Sequence, residues 1–344
     1  MMQLTKRLPI LLIVCLAACN APIQKKTAAP TATPEPTEAP TELPIDTTTP
    51  SPEPVETANP FGGLGQIMFL VSQGGQSDMY VVNTDGTQLT RWQPPIDGVS
   101  EFDWSPDGTR LAVVSNADGD DEIYVMNADG TDLKQLTNND AADRDPDWSP
   151  DGNKIAFYSM RDVIPGYEGP PPEIYVMNAD GSQQTRITNN ETSDTCPNWT
   201  PSGSHIAFTS FHFSYVSSRI NIMRADGSEE TLLVDTDGDE GCPRWSPDGT
   251  RLIFESRYRD ASFIILTDAY GMNETPLTDG SANDRDPNWS PDGQWIVFAS
   301  DRNDGDDLYI LSAIGTDLVN LTLNPSVHER APVWVLPGTI LLAE

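Results

Sequence analysis

The chain has 344 residues, with 52 Asp and Glu against 20 Lys and Arg, a formal charge of -32 at pH 7 and 37% hydrophobic residues. A surface this acidic repels nucleic acid and anionic lipid and favours cationic partners or bound cations. Nucleic-acid binding is therefore excluded as a function, and much of the charge sits in solvated Asp-Gly turns.

At the N-terminus, Lys6 and Arg7 precede an apolar run from Leu8 to Leu16, and Ala17, Ala18 and Cys19 follow. This is the order of a basic region, an apolar region and a small-residue cleavage point. The run is too short for a permanent span, which needs about 20 apolar residues. Leu16-Ala17-Ala18-Cys19 resembles the lipobox of bacterial lipoproteins, which implies export, cleavage before Cys19, and lipidation of its thiol and amine. An ordinary secretory signal with an incidental cysteine is the alternative. Residues 1–18 thus read as a signal peptide, and the mature chain as a membrane-anchored lipoprotein at the cell surface or in the periplasm.

Residues 19–60 form the second segment, a lipidated cysteine followed by Pro, Thr, Ala and Glu with almost no large apolar side chain. Such a composition cannot offset its ordering entropy and favours an extended stalk.

Residues 61–344 repeat. Trp-Ser-Pro-Asp-Gly begins at Trp104, Trp148, Trp245 and Trp289, with degenerate copies at Trp199 and Trp334, so successive tryptophans stand 44 to 51 residues apart. That period, with several short strands in each unit, is the signature of propeller blades. One unit reads as a strand ending at Trp148, a Ser149-Pro150-Asp151-Gly152 turn, an alternating strand over residues 154–159, a third strand over 173–177, an Asn178-Ala179-Asp180-Gly181 turn and a short strand ending at Thr188. Proline with a preset φ and glycine with a positive one make both turns.

The tryptophan strand and the third-strand glycine turn each occur six times, but out of phase. The folded segment opens at Gln66 without a tryptophan strand and closes on Ala331-Pro332-Val333-Trp334. The pattern predicts an all-β, six-bladed propeller of four-stranded antiparallel blades, closed by pairing of the last strand with the N-terminal blade. Such closure removes open sheet edges. Thr339 to Ala343 reads as a further strand, which makes a partial seventh blade the alternative.

These motifs resemble the TolB-type, WD40-like (PD40) propeller repeats, with Pro-x-Trp-Ser-Pro-Asp-Gly, Ile-x-Phe-x-Ser, Ile-Tyr, Asp-Gly and Leu-Thr in order over residues 66–336. The resemblance implies an extracytoplasmic propeller. Some relatives attach a serine peptidase, but no Gly-x-Ser-x-Gly elbow occurs here.

Function is sought where the repeats diverge. Counting back from each tryptophan, position -3 is Glu101, Asp145, Cys196, Cys242, Asp286 and Ala331, and position -5 is Val99, Asp143, Asp194, Glu240, Asp284 and Glu329. Repeat symmetry predicts that both sets ring one mouth of the central channel. Carboxylates converging there would bind a cationic peptide or a divalent cation. The opposing reading is that Arg144, Arg285 and Arg330, interleaved with them, neutralise the ring and cap the strands. Cys196 and Cys242 share one repeat position in adjacent blades, so a disulfide and two free thiols both remain open. Blade 3 carries an insertion with Tyr167, and blade 4 carries Phe211, His212, Phe213 and Tyr215 in the equivalent loop, a candidate aromatic recognition surface extended by Arg257, Tyr258 and Arg259.

The sequence therefore reads as a monomeric, lipid-anchored binding or scaffold module without a cofactor. Its expected partner is an envelope or extracellular protein, peptide or glycan, engaged through Asp143, Asp145, Asp194, Glu240, Asp284, Asp286, Glu329 and the aromatic loops. A metal-dependent propeller hydrolase or lyase with its site at the channel mouth is the alternative.

Overall fold

The second and third strands of each repeat are nearly continuous runs of aliphatic and aromatic residues, which suits sheets covered on both faces. In the computed structural model, which describes residues 65–74, 76–162, 171–212, 217–259, 261–303, 305–323, 327–336 and 339, those runs are buried almost throughout. Leu111 to Val114 and Ile67 to Leu70 have no exposed surface.

The 24 strands among the described residues form six antiparallel sheets of four. Blade 1 pairs Gln66–Gln73 with Gln76–Asn83 on one edge and with the last strand, His328–Val335, on the other. Blades 2 to 6 each use four consecutive strands and begin at Val99–Trp104, Asp143–Trp148, Thr192–Trp199, Asp239–Trp245 and Asp284–Trp289. These tryptophan strands touch their counterparts in both neighbouring blades all the way round, so they are the innermost ones. Among the described residues there is no seventh blade, and both edges of Gln66–Gln73 are already paired. Thr339 lies in a bend, and residues 340–344 lie outside the described residues.

There is no single core. Six apolar clusters fill the six gaps between neighbouring blades. Each repeat tryptophan enters one of them; Trp148, for instance, packs against Ala112, Val114 and Ile123 of blade 2. A fixed Phe on the second strand, Phe69, Phe157, Phe208, Phe254 or Phe298, is fully buried in five blades. Every blade is thus stabilised by its neighbours, and ring closure gives the end blades the same cover as the rest.

The inner turns are closed by their own polar residues. Ser105 Oγ donates to Asp107 Oδ1 at 2.7 Å and accepts from the Arg110 N–H at 2.9 Å. Gly108 stands at φ 67°, a conformation that costs other residues roughly 1 kcal/mol or more.

Candidate functional site

The inner strands line the axis, and five of them carry the same irregularity. The residue at position -3 is left-handed in Asp145 (φ 51°), Cys196 (49°), Cys242 (43°), Asp286 (53°) and Ala331 (50°), and strand pairing slips a register there. This is a β-bulge. A strained backbone persists where its surroundings hold it, and here the preceding blade does so. The N–H of Asp145 donates to Glu101 Oε2 at 2.7 Å, that of Cys196 to Asp145 Oδ2 at 3.1 Å, and that of Ala331 to Asp286 Oδ2 at 3.0 Å. Where position -3 is cysteine, the acceptor moves to the second strand. Thr209 Oγ1 receives the Cys242 N–H at 3.0 Å, and the Glu255 carboxylate receives that of Asp286. Ala331 offers no side-chain acceptor, and Glu101, next round the ring, lacks the left-handed turn.

The bulge separates the two acidic sets. Side chains alternate along a strand, and one extra residue inverts the phase. Position -3 therefore faces the axis together with position -1, while position -5 turns into the blade. Asp143, Asp194, Glu240 and Asp284 have no exposed surface and Glu329 has 1%. Four have partners in their own blade or the loop leading into it: Asp143 Oδ2 takes Arg161 Nη2 at 2.6 Å and Asn139 Nδ2 at 2.7 Å, and Asp284 Oδ1 takes Arg302 Nη2 at 2.7 Å. Asp194 accepts from Ser210, Thr192 and Asn190, Glu240 from Thr236, and Glu329 from Thr322 and the Leu308 N–H. The expected outer ring of carboxylates at the mouth is thus replaced by buried braces, within the blade for Asp143, Asp194, Glu240 and Asp284 and between blades 6 and 1 for Glu329.

Position -1 supplies the second axial ring, which the repeat count did not single out although the same spacing would have found it. Asp103, Asp147 and Asn198 accept the backbone N–H of Trp148, Trp199 and Trp245 in the next blade at 2.9, 2.7 and 3.0 Å. Arg244 then interrupts the acceptors. Its guanidinium stands among Asp103, Asp145 and Asp147 and favours their charged forms.

Burial acts in the opposite sense and is the larger effect. It lifts Glu101 to about 8 with help from the Asp145 charge, Asp103 to about 7 with help from Asp147, and Asp147 to about 6. An axial cavity of about 220 Å³ is lined by Glu101, Asp145, Asp286, Arg244 and Arg330, and a second of about 210 Å³ nearer the tryptophan turns by Asp103, Asp147 and Arg244. Arg144 and Arg285 pair instead with Asp121 and Asp306, and Arg330 donates to Ser72, Ser77 and the Ser100 carbonyl. Among the described residues, no group of three or more His, Cys, Asp or Glu is arranged to hold a metal.

Cys196 and Cys242 are joined by a disulfide, with Cα atoms 4.9 Å apart, which ties the inner strands of blades 4 and 5. Phe211 and His212 belong to the second strand of blade 4, His205–His212, rather than to a loop. Strand alternation turns Phe211 toward blade 5 and His212 toward blade 3. A recess of about 400 Å³ beside Phe211 is lined also by Cys196, Glu240, Cys242, Glu255 and Arg257, and Cys242 lines the axial cavity as well. Cys19, Tyr167, Phe213 and Tyr215 lie outside the described residues.

The TolB beta propeller domain (PD40) model matches residues 97–167 and 211–343, more than half of the chain. The chain belongs to this family. No curated protein matches it. TolB from Acinetobacter baumannii superposes with a TM-score of 0.66 at 23% identity, over 79% of this chain and 66% of that one. The putative TolB from Agrobacterium tumefaciens gives 0.51 at 23% identity, over 72% of this chain and 90% of that one. Kuenenia stuttgartiensis hydrazine synthase gives 0.66 at 14% identity, over 80% of this chain and 48% of that one. This chain therefore spans just under two thirds of the Acinetobacter protein and about half of the hydrazine synthase chain. At these identities the shared property is the fold.

Proposed function

We propose that this PD40 propeller is an exported, lipid-anchored, non-catalytic module that binds a protein, peptide or glycan on its mouth face. The observation that carries the reading is a pair of neighbouring concavities that share Cys242 in their walls, one with Phe211 and the other with the axial acids. A segment with a ring or aliphatic group followed by a cation fits that order of surfaces. Glu101, Asp145 and Asp286 accept backbone N–H groups of the next blade, which supports a closure role rather than proton transfer. The lipobox-like residues before Cys19 support anchoring, and the stalk supports reach.

Crosslinking the anchored protein in its own envelope tests the reading, with wild type compared against Glu101→Gln, Asp145→Asn and Asp286→Asn combined. The amides keep acceptors for the inter-blade N–H groups and cannot ionise. Capture of a partner by wild type and its loss in the folded variant is the expected result. Undiminished capture by the variant sinks the acidic-mouth proposal. Stoichiometric axial metal, with turnover lost on chelation, would establish the hydrolase or lyase alternative. Labelled palmitate incorporated by wild type but not by Cys19→Ser tests the anchor.

A further inference from the structure

A second surface lies on the opposite face, at the turns between third and fourth strands. In blades 1 to 4 the tip of this turn is an aspartate, Asp85, Asp129, Asp180 or Asp226. Each accepts the N–H of the residue after the following glycine, Thr87, Thr131, Ser182 or Ser228, at 2.9 to 3.0 Å. Blades 5 and 6 instead place Tyr270 and Ile314 at the tip, each 78% exposed.

The turns themselves are preserved. Gly271 and Gly315 keep φ 70° and 79°, and the cap has moved two residues back. Asp268 accepts from the N–H groups of Tyr270 and Met272 at 2.9 and 3.0 Å, and Ser312 Oγ from that of Thr316 at 3.0 Å. Relocating the cap frees the tip side chain from any part in the turn, and both freed tips are large and apolar. Met272, 64% exposed, and Leu318, 47% exposed, stand beside them. Gly315 seats the blade 6 turn against Leu277, at the end of the blade 5 fourth strand, so the tips share one rim.

Charge distinguishes this rim further. Residues 268–276 and 312–320 contain Asp268, Glu274 and Asp317 and no Lys or Arg, whereas Lys134 and Arg224 lie on the same rim in blades 2 and 4. Exposed apolar groups edged by one sign of charge mark an interaction surface. We infer that the third-to-fourth-strand turns of blades 5 and 6 dock a partner protein through an amphipathic segment that is apolar on one side and basic on the other. This surface is separate from the mouth and does not depend on the function proposed for it.

The test uses the full chain and two synthetic peptides of equal positive charge, one an amphipathic helix of Leu and Lys and the other with Ser replacing Leu. The variant is Tyr270→Asp with Ile314→Asp, which restores the residue found in blades 1 to 4 and so preserves the turn. It also adds two negative charges, so purely electrostatic association would strengthen. Saturable binding of the Leu/Lys peptide is expected, weakened about tenfold or more by the variant, a loss on the order of 1.4 kcal/mol. Binding of the Leu/Lys peptide should also survive the Glu101, Asp145 and Asp286 amide substitutions, which separates this surface from the mouth. Equal binding of the two peptides, or equal binding by wild type and variant, overturns the inference. Concentration-dependent dimerisation that the variant abolishes overturns it in favour of a second copy, and variant-sensitive binding to phosphatidylcholine vesicles in favour of lipid.

Discussion

Blades 3 and 6 stand against blades 4 and 5 as two ways of holding the same bulge. The inner strands of blades 3 and 6 read Asp-Arg-Asp-Pro, and their -3 carboxylates, Asp145 and Asp286, clasp the next blade's backbone. Blades 4 and 5 have cysteine at that position, joined to one another, and the clasp passes to Thr209 and Glu255 on the second strand. The left-handed backbone is common to all four. What is retained is therefore an acceptor for one inter-blade N–H, while the residue that supplies it varies.

The largest expected effect comes from breaking the covalent version. Cys196→Ala with Cys242→Ala opens a loop with a sequence separation of 46 residues, and chain-entropy reasoning gives a loss of about 2–4 kcal/mol, read as a lower denaturant midpoint. No change in midpoint would mean that the side-chain clasps suffice alone. Next comes Asp145→Ala, which leaves the Cys196 N–H without its acceptor and costs about 1–3 kcal/mol. Asp145→Asn should recover most of that loss, and failure to do so would assign the role to charge. Thr209→Val isolates the substitute clasp. It should cost about 1 kcal/mol in equilibrium unfolding, and a neutral result would show that the disulfide alone holds blade 5.

The smallest effect is a slope with pH. Burial lifts Glu101 to about 8 and Asp103, Glu240, Glu255 and Glu329 to about 7, above the range of about 4 expected in the unfolded chain. The native state then holds protons that the unfolded chain has released. Stability is greatest near the low end of that window and falls as pH rises through 7 to 8. The turn aspartates Asp107 and Asp248, held at about 2 by serine and threonine hydrogen bonds, act oppositely below about pH 4. A melting temperature lower at about pH 8 than at about pH 5.5, with the slope reduced in Glu101→Gln, is the expected profile; a flat wild-type profile would contradict it.

Blade number, strand order and offset closure could be read from the chain because the tryptophan and glycine motifs recur in fixed phase, and each blade repeats the same local pattern. The same counting brought Asp145, Asp286 and the cysteines to the axis, yet it misplaced Asp143, Asp194, Glu240, Asp284 and Glu329. Strict alternation takes no account of a bulge, and this bulge is held by a neighbouring blade about 45 residues away rather than by its own strand. Arg244 and the -1 ring escaped notice for a related reason. Nothing about one Arg before one tryptophan is unusual until three other strands bring Asp103, Asp147 and Asn198 around the same axis.

The sequence by itself determined the repeat and the ring, since these follow from periodicity along the chain. Only the tertiary structure decided which acids face the channel, which cysteines meet and where the clasps lie. Those outcomes depend on hydrogen bonds between blades, and such bonds exist only once the ring has closed.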